Sequence, residues 1–188
     1  MIGLLGGMFD PPHNGHVALA QTARAELGLD ELVVLVVADP GHRSVTCDVE
    51  TRLELARAAF PDARVEREEH ARTVDSVRDG RFGDAVFLVG ADEFAGLMSW
   101  KEPDEVLDHV RLGVATRPGY PRERLEAVLG RLRRPDRVLF FANEPLPVSS
   151  TDIRARAGRG EPIDAWVPPA VARIVAERGL YRHRDGVQ

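Results

Sequence analysis

Cysteine, long apolar runs and surplus positive charge are all scarce in this chain of 188 residues. Its single cysteine, Cys47, cannot form an internal disulfide, which is typical of proteins in a reducing compartment. No apolar run approaches the roughly 20 residues that would span a bilayer, and the first residues lack the basic segment and cleavage site of a secretory signal. We therefore expect a cytoplasmic protein with no membrane partner.

The charge balance argues against a nucleic-acid partner. The formal net charge is −5, from 25 basic and 30 acidic residues. Proteins that coat nucleic acid neutralise its phosphates with a surplus of lysine and arginine, which this chain does not have. Small anionic ligands need only local cationic clusters. Two such clusters occur, RLRR at 131–134 and IRARAGR at 153–159, and the first is better explained as a solvated helix face.

Short apolar runs alternate with segments of helical periodicity along most of the chain. The runs IGLLGG, LVVLVVA, ARVE, AVFLVG, RLGVAT and RVLFFA predict six strands, with helices predicted over 17–29, 50–60, 73–78 and 121–134. This alternation predicts an α/β fold, a Rossmann-like doubly wound parallel sheet with right-handed crossovers. From residue 148 onward the pattern is helical. We expect residues 1–147 to form the core and residues 148–188 a small C-terminal helical region packed on it.

Three unusual loops follow predicted strands. GGMFDPPHNGH, residues 6–16, follows the first strand, GADEF at 90–94 follows the fourth and TRPGY at 116–120 follows the fifth. In doubly wound sheets, ligands bind beyond the carboxyl ends of the strands. Since all three loops leave from that edge, the sequence predicts a ligand site there.

The first of these loops has the chemistry of a phosphate site. Gly6 and Gly7 allow backbone N–H groups to approach a ligand, and a helix beginning at Asn14 or Gly15 would place its positive end there. His13 and His16 could each donate a hydrogen bond to phosphate oxygens. Zinc binding by the two histidines is an alternative that lacks an obvious third ligand, and a purely structural pair is another. The loop matches neither G-x-G-x-x-G nor G-x-x-x-x-G-K-[ST].

Six segments together resemble a known family. GGMFDPPHNGH, PGHR at 40–43, RTVDSV at 72–77, VGADEFAGLMSWKEPDEVL at 89–107, RPGY at 117–120 and VSSTDIR at 148–154 are similar, in order, to motifs of the nucleotidylyltransferases with an H-x-G-H motif. Within that superfamily the chain resembles the bacterial nicotinate-nucleotide adenylyltransferases. The resemblance implies an enzyme that transfers the adenylyl group of ATP to nicotinate mononucleotide, releasing pyrophosphate, with Mg²⁺ carried on the ATP phosphates and not held by protein side chains.

The resemblance also implies which residues form the site. It assigns catalysis to His16, His13 and Arg154. For ATP it implies Gly6, Gly7, Met8 and Phe9 through their backbone, His13 and His16 at the phosphates, Gly90 and Asp92 toward the ribose, and Ser149, Ser150, Thr151 and Arg154 on the far side of the phosphates. For the pyridine nucleotide it implies His42, Arg43, Thr73, Val74, Trp100, Lys101 and Arg117. Trp100 would stack on the ring, while backbone N–H groups near Thr73 and Val74 and Lys101 would receive the carboxylate.

The sequence also departs from the family pattern at two places. Met8 replaces a small hydroxyl residue, and the PGHR loop is one residue shorter, with Gly41 for proline and Arg43 for lysine. We expect this loop to set access to ATP or to the pyridine nucleotide. Three alternatives stay open: a nicotinamide-mononucleotide adenylyltransferase, a phosphopantetheine adenylyltransferase, and a catalytically silent nucleotide-binding homologue. Phosphopantetheine enzymes usually carry T-x-G-H where this chain has HNGH. A homo-oligomer also remains open.

Overall fold

One sheet of six parallel strands organises the molecule, in the order β3-β2-β1-β4-β5-β6. The computed structural model describes residues 1–39, 41, 45–144 and 146–182. The strands are β1 (Ile2–Gly7), β2 (Glu31–Val37), β3 (Arg64–Glu68), β4 (Val86–Gly90), β5 (Arg111–Thr116) and β6 (Val138–Ala142). The helices are α1 (Asn14–Leu27), α2 (Val49–Ala59), α3 (Thr73–Val77), α4 (Ala91–Ala95), α5 (Pro103–His109), α6 (Arg122–Leu129), α7 (Ser150–Gly158) and α8 (Pro169–Glu177). The predicted doubly wound α/β fold is confirmed.

The strand order reverses direction at β1. Residues 2–7 of β1 pair with residues 31–36 of β2 on one side, while only Gly3 and Leu4 pair with β4 on the other. The loops after β1 and β4 therefore diverge from the point where the strand order reverses. Crevices at such switch points are the usual ligand sites of open α/β sheets.

Each face of the sheet carries its own hydrophobic core. Along β2, Val34 and Val36 point into the core covered by α1, α2, α7 and α8, whereas Val33 and Leu35 point into the core covered by α3 to α6. This alternation is the period of two that a strand imposes. Ile153 of α7 and Val171 of α8 are buried in the first core. The C-terminal helices thus share a core with α1 and α2, and the division at residue 148 stays a prediction.

One predicted helix needs correction, and two helices were not predicted. The helix predicted over 121–134 ends at Leu129, because Gly130 closes it by donating to the Glu126 carbonyl and the chain then turns toward Pro135. Helices α4 and α5, at 91–95 and 103–109, were not predicted. For α5 a signal was present, since it begins at Pro103 and carries two acidic residues in its first turn. Among the described helices, none has the length and apolar character that a bilayer crossing requires.

Candidate active site

The loop between β1 and α1 is anchored by one buried aromatic ring. Phe9 has a positive φ of 52° and is 1% exposed, with its ring packed edge-on against Phe60 and His16. The ring also lies close to the backbone at Gly7, where a Cβ atom would come within 3.1 Å of it. Gly7 is therefore required for this packing, and Phe9 is a core anchor whose side chain does not face a ligand cavity.

The two histidines of this loop lie together at the start of α1, as their spacing predicted. His13 is the residue before the helix, and its ring stacks on that of His16 with centroids 3.7 Å apart. The backbone N–H of His13 donates to Nδ1 of His16 at 3.2 Å. Gly15 allows this arrangement, because a Cβ atom there would lie 3.0 Å from Nδ1 of His13.

Both imidazoles are neutral near pH 7. Burial lowers the pKa of His13 from 6.5 to about 4. Burial, with a further contribution from the nearby His13, lowers the pKa of His16 to about 3. Because Nδ1 of His16 accepts a hydrogen bond, its proton lies on Nε2. Nδ1 of His13 is buried with no hydrogen-bond partner among the described residues, which is a costly arrangement.

A cavity of about 380 Å³, here called the histidine cavity, opens beside this pair. His13 and His16 form one wall, and the segments after β4, β5 and β6 form the others. Tyr120 donates to Oδ1 of Asp92 at 3.0 Å and so fixes that carboxylate at the rim. The walls include the predicted residues His13, His16, Gly90, Asp92 and Arg117, together with Tyr120 and Asn143. Arg117 was predicted on the pyridine-nucleotide side, but the structure places it in this cavity because β5 ends next to β4.

A second cavity of about 410 Å³, here called the tryptophan cavity, opens beside β2, β3 and α3. Trp100 is partly exposed and packs edge-on against Phe87, with ring centroids 6.4 Å apart. The predicted pyridine-nucleotide residues Thr73, Trp100 and Lys101 meet here. Val74 is instead buried in the core at 1% exposure.

The β1–α1 loop borders both cavities. Gly6, Gly7 and Met8, predicted on the ATP side, line the tryptophan cavity, while His13 and His16 line the histidine cavity. Two ligands bound in these cavities would therefore approach each other across a single loop. His42 and Arg43 lie outside the described residues.

Helix α7 is fastened to the same loop. The Ser149 side chain caps the helix by accepting from the Asp152 N–H at 3.1 Å. Ser150 donates to the Pro11 carbonyl at 2.8 Å. The VSSTDIR segment thus lies against the loop, although none of its four predicted residues is among the described residues lining either cavity.

The guanidinium group of Arg154 is held beside the loop by two hydrogen bonds. Its Nη1 donates to the Asp10 carbonyl at 2.7 Å, and its Nη2 donates to Oγ1 of Thr151 at 3.3 Å. A fork-shaped cation is therefore fixed next to the histidine loop, with further N–H groups available to an anion.

Sequence reasoning missed two buried charges that shape the loop. Arg52 of α2 is 1% exposed and donates to four backbone carbonyls, those of Met8, Val37, Ala38 and Cys47. Asp10 is 2% exposed and accepts from the N–H groups of Thr46 and Cys47 and from the hydroxyl of Tyr181. The only signal for Arg52 was an arginine among the apolar positions of a helix. The motif containing Asp10 was noted, but without a role for its carboxylate.

The described residues contain no group of three or more histidine, cysteine, aspartate or glutamate side chains arranged to hold a metal ion.

Comparison with known proteins gives the family. Residues 4–156 match the model of the family described as Cytidylyltransferase-like, a span that includes both histidines and the whole VSSTDIR segment. The fold, the two cavities and this match define the chain as a Cytidylyltransferase-like protein. A solved structure titled as Plasmodium falciparum nicotinic acid mononucleotide adenylyltransferase complexed with NaAD superposes with a TM-score of 0.76, covering 96% of each chain at 16% identity. At that identity the likeness shows the shared fold.

Relatives of higher identity define the group within this family. A protein named "probable nicotinate-nucleotide adenylyltransferase" from Rubrobacter xylanophilus is 37% identical, covering 96% of this chain and 92% of its own length. Proteins of the same name from Bordetella pertussis and Thermus thermophilus are 39% and 36% identical, covering 96% of this chain and 98% and 99% of their own lengths. The chain belongs to the nicotinate-nucleotide adenylyltransferase family.

Proposed function

We propose that this protein catalyses adenylyl transfer from ATP to nicotinate mononucleotide, giving nicotinate adenine dinucleotide and pyrophosphate in NAD biosynthesis. The observation that carries this proposal is the pair of cavities bordered by one glycine- and histidine-containing loop. Their volumes, about 380 and 410 Å³, are within the range of small-molecule sites. Family membership supports the same reaction.

ATP is proposed to bind in the histidine cavity and nicotinate mononucleotide in the tryptophan cavity. His13 and His16 would meet the ATP phosphates, and Asp92, held by Tyr120, would meet the ribose. Trp100 would stack on the pyridine ring. Arg117, which lines the histidine cavity, is proposed for the ATP side. His42, Arg43, Thr73, Val74 and Lys101 remain proposals for the pyridine nucleotide.

The reaction requires positioning and charge stabilisation more than proton transfer. A phosphate oxygen of the mononucleotide attacks the α-phosphorus of ATP in line, the bond to the bridging oxygen breaks, and pyrophosphate leaves. The nucleophile is already an anion near neutral pH, so no general base is needed. The neutral imidazole N–H groups and the guanidinium of Arg154 would stabilise charge on the transferred group and the leaving group.

ATP is proposed to enter as its Mg²⁺ complex. Adenylyl transfer from ATP in general uses a divalent cation, and among the described side chains no metal-binding cluster is present to hold one independently. The cation is thus proposed to be part of the substrate, where it neutralises phosphate charge.

Pyrophosphate release tests the proposal directly. The enzyme is assayed with ATP and Mg²⁺ in parallel with nicotinate mononucleotide, nicotinamide mononucleotide and phosphopantetheine. We expect the highest kcat/KM with nicotinate mononucleotide, and we expect His16→Ala to lower kcat about 100- to 1,000-fold, the usual effect of removing one donor to a developing charge. His109→Ala, a histidine on α5 away from both cavities, serves as the matched control. Higher kcat/KM with either other acceptor, or no turnover with all three, would refute the assignment.

A further inference from the structure

The charged side chains of the tryptophan cavity differ in whether neighbouring residues already form ion pairs with them. Glu68 is 2% exposed, and its Oε1 accepts from the His70 ring at 2.8 Å while its Oε2 accepts from Arg81 at 2.7 Å. Lys101 donates from Nζ to both carboxylate oxygens of Asp75, at 2.9 and 3.1 Å. The hydrogen bond from Lys101 is also the main reason why the pKa of Asp75 lies below its usual value. The Lys101 ammonium group is therefore already paired.

Arg72 lines the same cavity but is differently placed. Its backbone carbonyl accepts from the N–H groups of Asp75 and Ser76, so its main chain is fixed at the start of α3. Its side chain is exposed, and its guanidinium makes no hydrogen bond or ion pair with any residue that the structure describes. Of the cavity's described lysine and arginine side chains, Arg72 alone is thus available to an anionic ligand group.

The position of Arg72 in the sheet indicates which end of a ligand it would meet. Arg72 follows β3, which is the edge strand and lies two places from β1. The phosphate of a mononucleotide in this cavity must point toward the β1–α1 loop, because ATP lies beyond that loop in the proposed function. The pyridine ring is then the part directed away from the loop, toward Trp100 and the segment that contains Arg72.

We propose that Arg72 binds the carboxylate on the pyridine ring and so selects nicotinate over nicotinamide mononucleotide. This inference rests on the proposed function. A guanidinium group matches a carboxylate with two parallel N–H groups, and the bond is strengthened by charge on both sides. A carboxamide has no charge and turns an NH₂ donor toward these N–H groups. Arg72 would therefore be a specificity-determining residue for this site.

The test compares two acceptors in two variants. We expect Arg72→Gln to lower kcat/KM for nicotinate mononucleotide about tenfold or more, through KM, while kcat/KM for nicotinamide mononucleotide changes less than about threefold. Arg72→Lys, which keeps the charge but not the fork, should fall between wild type and Arg72→Gln. Binding of nicotinate mononucleotide, followed by quenching of tryptophan fluorescence without ATP, should weaken in parallel.

Arg57→Gln is the matched control, since Arg57 is an exposed arginine on α2 that lines neither cavity. Arg57→Gln removes the same charge and should leave kcat/KM unchanged for both acceptors. An equal loss with both acceptors in Arg72→Gln would show a phosphate or structural role and overturn the proposal, as would no loss at all. Failure of the proposed function is distinguishable, because it would appear in the wild-type enzyme, either as no pyrophosphate release or as a higher kcat/KM with another acceptor.

Discussion

At the scale of single residues, the stacked histidines are built to remain uncharged. Both rings are partly buried, so a positive charge on either would be poorly solvated. The rings also stack with centroids 3.7 Å apart, so two positive charges would repel each other. A proton on Nδ1 of His16 would also abolish the hydrogen bond from the His13 N–H. In the proposed function the pair would therefore offer ATP oriented N–H dipoles, while Arg154 and the cation on ATP would supply the positive charge. Such dipoles are already oriented before the reaction and need no rearrangement during it.

This arrangement predicts how stability depends on pH. The folded-state pKa values, about 4 for His13 and about 3 for His16, lie below the ordinary value of 6.5. The unfolded chain therefore binds more protons as the pH falls below 6.5, so the stabilisation present above pH 6.5 is lost progressively toward pH 4. Urea unfolding at pH 7.5, 6.0 and 5.0 should show falling free energies of unfolding. In a His13→Asn/His16→Asn double variant the decline between pH 7.5 and 5.0 should be smaller, and an undiminished decline would contradict the assignment.

At the scale of elements, α2 holds the ends of two strands through one side chain. Arg52 reaches from the helix to the carbonyls of Val37 and Ala38 at the end of β2 and to the carbonyl of Met8 just after β1. Burial lowers the pKa of this guanidinium, but nearby acidic groups such as Asp10 oppose the shift and it stays charged. The backbone at Met8 and Val37, which line the tryptophan cavity, is thereby held by a cation.

We expect Arg52→Met to destabilise the protein by about 3 kcal/mol or more, because several buried carbonyls would lose their hydrogen-bond donors. Arg52→Lys should recover part of this loss, since an ammonium group has three donors and less reach. The free energy of unfolding in urea measures both effects. Arg57→Met on the exposed side of the same helix should change it by less than about 0.5 kcal/mol. Similar effects at positions 52 and 57 would show that the carbonyl contacts of Arg52 contribute little.

The elements themselves were largely predictable from local pattern, but their boundaries were less so. All six strands were predicted, five of them from short apolar runs of which several are rich in β-branched residues and buried on both faces. The exception is β3, whose sequence RVERE is mostly charged. Helix α4 was missed because its five residues fall in the GADEF segment, which was interpreted as a loop after the fourth strand. Helix α6 ends just before Gly130. The end was not predicted, because the charged stretch after this glycine resembles a solvated helix face.

At the scale of the whole molecule, the sequence predicted which edge of the sheet carries the site, but not the contacts within the site. The strand-end rule brought the loops after β1, β4 and β5 to one edge, and the structure places them there. It could not show that Arg117 lines the histidine cavity, because that depends on the direction in which the loop after β5 turns. Nor could it show that Tyr181 contacts Asp10. These residues are 171 positions apart, and no local sequence pattern predicts a contact between them.

The contact between Tyr181 and Asp10 links the C-terminal segment to the β1–α1 loop, and it should be measurable as a coupling energy. Tyr181→Phe removes a 2.9 Å hydrogen bond to a buried carboxylate, so we expect a loss of about 1 to 2 kcal/mol. Asp10→Asn should cost more, because its NH₂ group would face the N–H groups of Thr46 or Cys47. In the double variant the two losses should not add, leaving a coupling of about 1 kcal/mol in urea unfolding. Hydrogen exchange at the amides of Thr46 and Cys47 should accelerate in Asp10→Asn and stay slow in Tyr181→Phe. Strict additivity of the two losses would mean that the C-terminal segment stabilises the loop only through apolar packing.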